Sequence, residues 1–224
     1  GARLDSGQQP RSRERAPVTE TYATAQERFW AGEFGTDYSA RNQGAAQIEH
    51  RRALWAEVLR QAAPLTSLCE FGANIGLNLV ALGQLQPAAV RHAIELNPTA
   101  LAALNALDGV TVHAGTVLER HLTAPVDLTF TVGVLIHIAP ERLTTVYDHL
   151  HAGSRRYIAV AEYYNPTPVE VPYRGHDARL FKRDFAGEML DRFNDLRLID
   201  YGFRYHRDPA HPADDLTWFL MEKR

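Results

Sequence analysis

The chain has 224 residues, of which 45% are hydrophobic, 23% charged and 9% aromatic. This fits one globular domain, or one domain with an appendage, and excludes a collagen, a coiled coil or a wholly disordered polymer. A single cysteine, Cys69, excludes an intramolecular disulfide and any cysteine cluster for zinc or iron–sulfur, and a formal charge of -3 from 24 basic and 27 acidic residues is not the footprint of a nucleic-acid binder.

Residues 1–21, GARLDSGQQPRSRERAPVTET, are rich in Arg, Pro and Gln and nearly free of large apolar side chains, so a disordered tail is expected. No apolar signal-peptide core follows the basic residues, and Gly1 in place of Met suggests processing. A soluble cytoplasmic protein is the expectation. Residues 22–62 read as a helical unit. TYATAQERFW has a Thr cap signal and apolar residues at Tyr22, Ala25 and Phe29; a break is expected across AGEFGTDY, at Gly32 and Gly35. A second helix carries Ile48, Leu54, Trp55, Val58 and Leu59 at helical spacing and stops before Pro64.

From residue 63 the pattern changes. Short apolar runs alternate with helical stretches: LTSLCEFG, ANIGLNLVALGQL, AVRHAIELN, PTALAALNAL, VTVHAG. VDLTFTVGVLIHI follows as a continuous fourth strand, PERLTTVYDHLHAG as a helix closed by Gly153, and RRYIAVAEYYN as a fifth strand. The continuous apolar run from Leu128 to Pro140 has thirteen uncharged residues, too short for a membrane span. The alternation predicts β-α units on a parallel sheet covered on both faces. FKRDFAGEMLDRF reads as an amphipathic helix. LRLIDYGFRYHR and DLTWFLMEK are strands joined by DPAHPAD, which is too short for a crossover, so they should be antiparallel. The expected class is α/β: five parallel strands, then a C-terminal antiparallel hairpin.

The chemistry gathers first at Glu70-Phe71-Gly72-Ala73-Asn74-Ile75-Gly76, where a strand turns into a helix. Gly72 suits the tight turn, Gly76 close packing, and the free N–H groups of the helix start suit polar or anionic groups. Asn74 replaces the middle glycine of the dinucleotide fingerprint. Glu95 ends the next strand, 19 residues after Gly76, where a carboxylate can accept from both hydroxyls of a ribose. Turn and acid together point to a nucleoside site. No P-loop lysine accompanies them, which argues against ATP hydrolysis.

His137 is placed at the end of the fourth strand, either as a general base for an amine or hydroxyl proton or as a core histidine satisfied by a carbonyl. His149 and His151 flank a helix end and read as solvated. No carboxylate–histidine cluster reads as a metal site. Trp30, Tyr38, Tyr163, Tyr164 and Tyr173 fall in apparent loops or at element ends, where aromatic faces can stabilise a cation and exclude water; Tyr22 and Trp55 read as core cover. Asn165-Pro166-Thr167-Pro168 follows the fifth strand rather than the fourth. It reads as a stiffened substrate loop, not as the amino-methylating Asn-Pro-Pro-Tyr motif. Arg174 and Lys182 are either carboxylate binders or surface ion-pair partners.

EFGANIG, Glu95 and the closing hairpin resemble class I S-adenosylmethionine-dependent methyltransferases. FWAGEFGTDYSARN (29–42), GVLIHIAPERL (133–143), EYYNPTPVEVPYRGHDARLFKRDFAGEML (162–190) and DDLTWFLMEK (214–223) resemble the pseudaminic acid biosynthesis-associated methylases, over about residues 25–223. Some methyltransferase-like proteins similar to this group are azetidine-2-carboxylate synthases. The resemblance implies a Rossmann-like sheet and an S-adenosylmethionine-binding domain (63–224); Gly32 and Gly35, between the aromatic anchors Phe29, Trp30, Phe34 and Tyr38, suggest that the N-terminal helical unit (22–62) acts as a lid, the alternative being a fixed helix pair covering a sheet edge. It implies S-adenosylmethionine as methyl donor or as the substrate itself. Glu70, Gly72, Asn74 and Gly76 would hold the methionine portion and ribose. Glu95 would take the ribose diol, with Leu96 beside the adenine. Thr116 and Val117 would lie at the adenine edge, where this fold often carries an acid. Gly133, Val134 and His137 would face the methionine and the transferred group. Trp30, Tyr38 and Asn42 would close over the cofactor, Tyr163, Tyr164 and Asn165 would join His137 in catalysis, and Tyr173 and Arg174 would meet a small-molecule acceptor. Methyl transfer is the leading reading and cyclisation of S-adenosylmethionine the alternative; a non-catalytic nucleoside-binding module is a third. Neither nucleic acid nor a membrane is expected as partner, and the oligomeric state stays open.

Overall fold

A computed structural model describes residues 22–41, 44–173 and 176–224. The expected tail, 1–21, lies outside the described residues, as do Asn42 and Arg174. The first helix, α1 (Ala25–Ala31), starts at a capping box: the Thr24 hydroxyl accepts from the Glu27 N–H at 3.1 Å, and the Glu27 carboxylate accepts from the Thr24 N–H at 2.9 Å. The expected break is narrower than the two glycines suggest. Only Gly32 interrupts the helix, and α2 (Glu33–Arg41) runs through Gly35. A Cβ on Gly35 would sit 1.9 Å from the Trp30 carbonyl oxygen, so this glycine permits close approach of α2 to α1 rather than ending a helix. The next helix, α3 (Ala45–Val58), buries Leu54, Trp55 and Val58.

The sheet is built from β1 (Ser67–Phe71), β2 (Val90–Glu95), β3 (Val110–Ala114), β4 (Val126–Val132) and β5 (Ser154–Glu162), all parallel. The connections carry α4 (Leu77–Leu85), α5 (Pro98–Asn105) and α6 (Leu143–Gly153). A separate two-stranded sheet, β6 (Val169–Tyr173) and β7 (His176–Lys182), is followed by α7 (Phe185–Arg192). The chain closes with β8 (Leu196–Arg204) and β9 (Leu216–Lys223). The strand order is β3-β2-β1-β4-β5-β9-β8, with β9 inserted antiparallel between β5 and β8. Five parallel strands and an antiparallel hairpin are thus found as the sequence pattern predicts.

Alternation along the strands splits the core into two layers. Cys69, Phe71, Ile158 and Val160 face a cluster with Val146, Leu150, Met189 and Met221. Leu68, Tyr157, Ala159 and Ala161 face the other side, with Trp55, Leu79, Leu82 and Trp218. Both faces are covered, which is why the central strands read as near-continuous apolar runs. Strand order reverses between β1 and β4, and a crevice opens beyond the carboxyl ends of strands at such a switch point.

Three expectations are corrected. The apolar run 126–138 is not one strand: β4 stops at Val132, Gly133 turns the chain at φ 65°, and a 3-10 turn (Leu135–His137) follows. His137 therefore lies in a turn beyond the strand. The loop expected at 165–168 is irregular, but the chain beyond it is not: β6 and β7 form a hairpin that pairs Val169 with Lys182 and Val171 with Leu180. Helix α7 starts only after Asp184, whose side chain accepts from the Gly187 N–H at 2.8 Å, so Phe181 and Lys182 belong to β7. Among the described residues, no helix is long and apolar enough to cross a membrane.

Candidate functional site

One pocket lies at the carboxyl ends of β1, β2 and β4, with α1 as its roof. Its floor is the turn after β1. Gly72, Asn74 and Gly76 all take positive φ (79°, 48° and 82°), which glycine and asparagine tolerate best. A Cβ at Gly72 would come 2.7 Å from Val134 Cγ2, so the turn and the loop after β4 close on one another without space for a side chain. Gly76 acts differently. Its Cβ would meet Leu107 at 2.6 Å and Leu104 at 2.8 Å, so it packs the turn against the α5 side and is not on the pocket wall.

Two glutamates line this floor. Glu70, in β1, is 1% exposed. Asn78 Nδ2 donates to Glu70 Oε1 at 2.6 Å, and Trp55 Nε1 donates to Asn78 Oδ1 at 3.1 Å, which fixes the carboxyl's orientation. Glu70 Oε2 is buried with no hydrogen-bond partner. Burial pushes the carboxyl up to about 8, against the opposing pull of Asn78 and Arg51. Such an oxygen at a pocket wall is a place for a donor. Glu95, at the end of β2, is held by backbone: its Oε1 accepts from the N–H groups of Leu96 (2.8 Å) and Asn97 (2.7 Å), and its Oε2 from that of Asn74 (2.7 Å). Burial raises its pKa while these three bonds oppose. Three of about four acceptor sites are thus used, and Oε2, with one donor, retains capacity toward the pocket.

The roof is pinned to the end of β2. Asn97 Oδ1 caps α5, accepting from the N–H groups of Thr99 (3.0 Å) and Ala100 (3.1 Å), while its Nδ2 donates to the Trp30 carbonyl at 3.0 Å. The Trp30 ring lies 4.5 Å from that of His137 and 5.4 Å from that of Phe34, spanning the pocket from roof to far wall. Glu27, also from α1, is buried and takes the Thr116 hydroxyl on its Oε1.

The far wall is the loop after β4. Gly133, Val134 and His137 line the pocket, and the His137 N–H donates to the Val134 carbonyl at 2.9 Å. Glu162, at the end of β5, builds this loop from behind. Its Oε1 accepts from Thr131 Oγ1 (2.9 Å) and from the N–H groups of Val134 and Leu135 (both 3.1 Å), and its Oε2 from that of Ile136 (3.3 Å). These are the orphan donors of a helical turn. Burial still pushes Glu162 up to about 7.

Trp30, Glu70, Gly72 and Asn74 are thus brought together with Glu95 and Leu96; Thr116 and Val117 join them from the end of β3. The expected catalytic trio is not on the pocket wall. Tyr163 packs on the core beside β7, with Lys182 Nζ 5.2 Å from its ring centre; Tyr164 is exposed and faces Phe219 of β9; Asn165 Nδ2 donates to the Thr167 carbonyl at 2.5 Å and shapes its own turn. Tyr38 falls within α2 and Tyr173 ends β6. His149 and His151 are not simply solvated: His149 Nδ1 bonds the Val117 carbonyl at 2.9 Å, and His151 Nε2 pairs with Asp195 at 2.9 Å over the Phe193 ring. Among the described residues, no group of three or more His, Cys, Asp or Glu could hold a metal ion.

Glu27, Asn78, Asn97 and Glu162 are absent from the sequence reading. Thr24-x-x-Glu27 was legible as a capping box and Asn97-Pro98 as a helix start; neither spacing shows that the side chain also reaches a pocket.

No family model and no curated protein matches the chain. Solved structures do match. Magnesium protoporphyrin IX methyltransferase from Synechocystis, with bound S-adenosylmethionine, has a TM-score of 0.64 at 13% identity over 91% of this chain and 100% of that one. The 1,6-didemethyltoxoflavin-N1-methyltransferase of Burkholderia thailandensis, with S-adenosylhomocysteine, has 0.63 at 17% identity over 93% and 94%. The N-methyltransferase NodS of Bradyrhizobium japonicum, with S-adenosylhomocysteine, has 0.61 at 13% over 89% and 96%. At these identities the likeness is one of fold: a Rossmann-like methyltransferase sheet.

Proposed function

We propose that this chain is an S-adenosylmethionine-using enzyme acting on a small molecule. One observation carries the reading. A buried carboxyl with an unpartnered oxygen, Glu70, and a second carboxylate steered by three N–H groups, Glu95, flank a left-handed glycine turn in a single pocket. An amino acid joined to a nucleoside has donors of the right kinds: an ammonium for Glu70 and a ribose diol for Glu95. The fold likeness to methyltransferases bound to S-adenosylmethionine or S-adenosylhomocysteine supports the same ligand.

When bound, S-adenosylmethionine supplies an electrophilic carbon on a sulfonium. The chain's own residues do the rest. Glu70 and Glu95 bind and orient the two ends. Gly72 and Val134 leave space only for a ligand without steric conflict at the turn. Trp30 excludes water, and its ring face suits a cation. His137, beside Trp30, takes the proton lost by an amine or hydroxyl acceptor. Catalysis is chiefly positioning. His137→Gln should lower turnover while leaving cofactor binding intact.

A second reading is intramolecular attack of the ligand's own amine on its γ-carbon, giving azetidine-2-carboxylate and methylthioadenosine. The unpartnered Glu70 oxygen favours it, since a carboxyl poised near neutral pH can take up an amine proton. Incubation with S-adenosylmethionine alone decides between them. Methylthioadenosine without added acceptor supports cyclisation; S-adenosylhomocysteine that accumulates only with acceptor supports methyl transfer. Absence of both products with every acceptor tried, from a protein that binds the ligand, leaves a nucleoside-binding module.

A further inference from the structure

Thr116 lies just past the end of β3, and its hydroxyl is already committed. Thr116 Oγ1 accepts from the Leu118 N–H at 3.2 Å and donates its only proton to Glu27. The acceptor of that proton is an acid from a distant helix. Glu27, on α1 and 89 residues away in sequence, is 4% exposed yet lines the pocket. One of its oxygens takes the Thr116 hydroxyl and the other the Thr24 N–H. A carboxylate has about four acceptor sites, so a buried one with two donors has capacity for a third.

We infer that Glu27 is the base-specificity residue of this pocket: it accepts a hydrogen bond from the exocyclic amino group of a bound adenine. The inference rests on the S-adenosylmethionine reading. Its placement follows from the strand register. Glu95 pairs with Ala114 across β2 and β3, and the Gly115 N–H donates to the Glu95 carbonyl at 2.8 Å, so Thr116 and its partner Glu27 lie just past the ribose-binding carboxylate. On this side the pocket is walled by Leu96, Val117 and Leu118, apolar surface that suits a flat ring. Glu27 is the group at its edge that accepts and cannot donate. Adenine presents an amino donor there; hypoxanthine presents a carbonyl, which would face the carboxylate acceptor to acceptor.

The same residue caps α1, so the roof and the base are recognised by one carboxylate. The sequence signal for the cap, Thr24-x-x-Glu27, is satisfied equally by glutamine, and that separates the two roles.

The test is calorimetric titration of S-adenosylhomocysteine and of its hypoxanthine counterpart, S-inosylhomocysteine, into the wild-type chain and into Glu27→Gln, with melting temperatures recorded. Wild type should prefer the adenine ligand by roughly tenfold or more. Glu27→Gln should melt near wild type and lose most of that preference, because a carboxamide can turn its N–H to the hypoxanthine carbonyl. Retention of the full wild-type preference by a folded Glu27→Gln overturns the inference while leaving the cofactor reading in place. If the wild-type chain binds neither ligand, the cofactor reading and this inference fall together.

Discussion

Strands β1 and β5 each carry a buried glutamate toward their carboxyl ends, Glu70 at 1% exposure and Glu162 at 2%. Burial raises the pKa of both. Their surroundings differ in the number of donors. Glu162 receives four, all from the chain, and its work is to hold the loop that carries His137. Glu70 receives one, and its other oxygen is left without a partner at the wall of the pocket. A fully satisfied buried carboxylate is scaffold; one with an oxygen in reserve has somewhere to put a ligand's proton donor. The same residue type at two strand ends therefore serves structure in one place and binding in the other.

The largest effect should come from stripping the scaffold. Glu162→Ala leaves three backbone N–H groups and a hydroxyl without their acceptor, and should cost on the order of 3–5 kcal/mol of folding stability by chemical denaturation. A loss under about 1 kcal/mol would mean that the loop is not built on Glu162. Glu95→Ala should weaken S-adenosylhomocysteine binding by about 2–4 kcal/mol. Since three backbone donors also lose their partner, Glu95→Gln is the cleaner companion; unchanged affinity in both variants would remove Glu95 from the site. Gly72→Val should abolish binding in a chain that still folds, from the contact with Val134 and a strain of about 1–3 kcal/mol at positive φ. Glu70→Gln should leave stability at or slightly above wild type while affinity falls by about tenfold, the reverse of Glu162→Ala.

Titration sharpens the comparison at smaller cost. Both carboxyls have folded pKa values above the ordinary 4.5, Glu70 at about 8 and Glu162 at about 7. The folded state then binds more protons than the unfolded state between those limits, so their contribution to stability is full below about 4.5 and is lost as pH rises toward 8. Relative to wild type, Glu162→Gln should flatten the decline only up to about 7, whereas Glu70→Gln should flatten it throughout and remove the part between about 7 and 8. Identical pH–stability curves in all three chains would contradict the assignment of both groups. The smallest expected change is in hydrogen exchange. Residues 25–31, pinned by Asn97 and Thr116, should gain protection when ligand binds beneath them. Identical exchange in both states, with the turn after β1 protected, would make α1 a fixed roof rather than a lid.

The parts of this design written in local pattern were legible in the sequence. The parallel strands follow from apolar runs broken by turns. Gly72 and Glu95 follow from turn chemistry and from the spacing of one β-α unit. Where partners are distant, the sequence is silent. Glu27 meets Thr116 across 89 positions and Glu162 meets Val134 across 28; no spacing announces either. The end of β4 was missed because an apolar run looks the same whether its N–H groups face a neighbouring strand or a carboxylate. The β6–β7 hairpin was missed because the alternation Val169-Glu170-Val171 is short and Pro172 argues against a strand. Tyr163, Tyr164 and Asn165 were placed in the site on residue type alone, and type does not say which way a chain leaves a strand.

The most direct test of the division between the two glutamates is proton-linked binding. S-adenosylhomocysteine is titrated near pH 7 into wild type, Glu70→Gln and Glu162→Gln, each in buffers of different ionisation enthalpy. An ammonium beside Glu70 favours its charged form, so wild type should bind with release of a proton. Glu162→Gln should bind and release it as wild type does, and Glu70→Gln should bind more weakly without release. Binding that is absent from wild type, or proton release that persists in Glu70→Gln and vanishes in Glu162→Gln, would contradict the account.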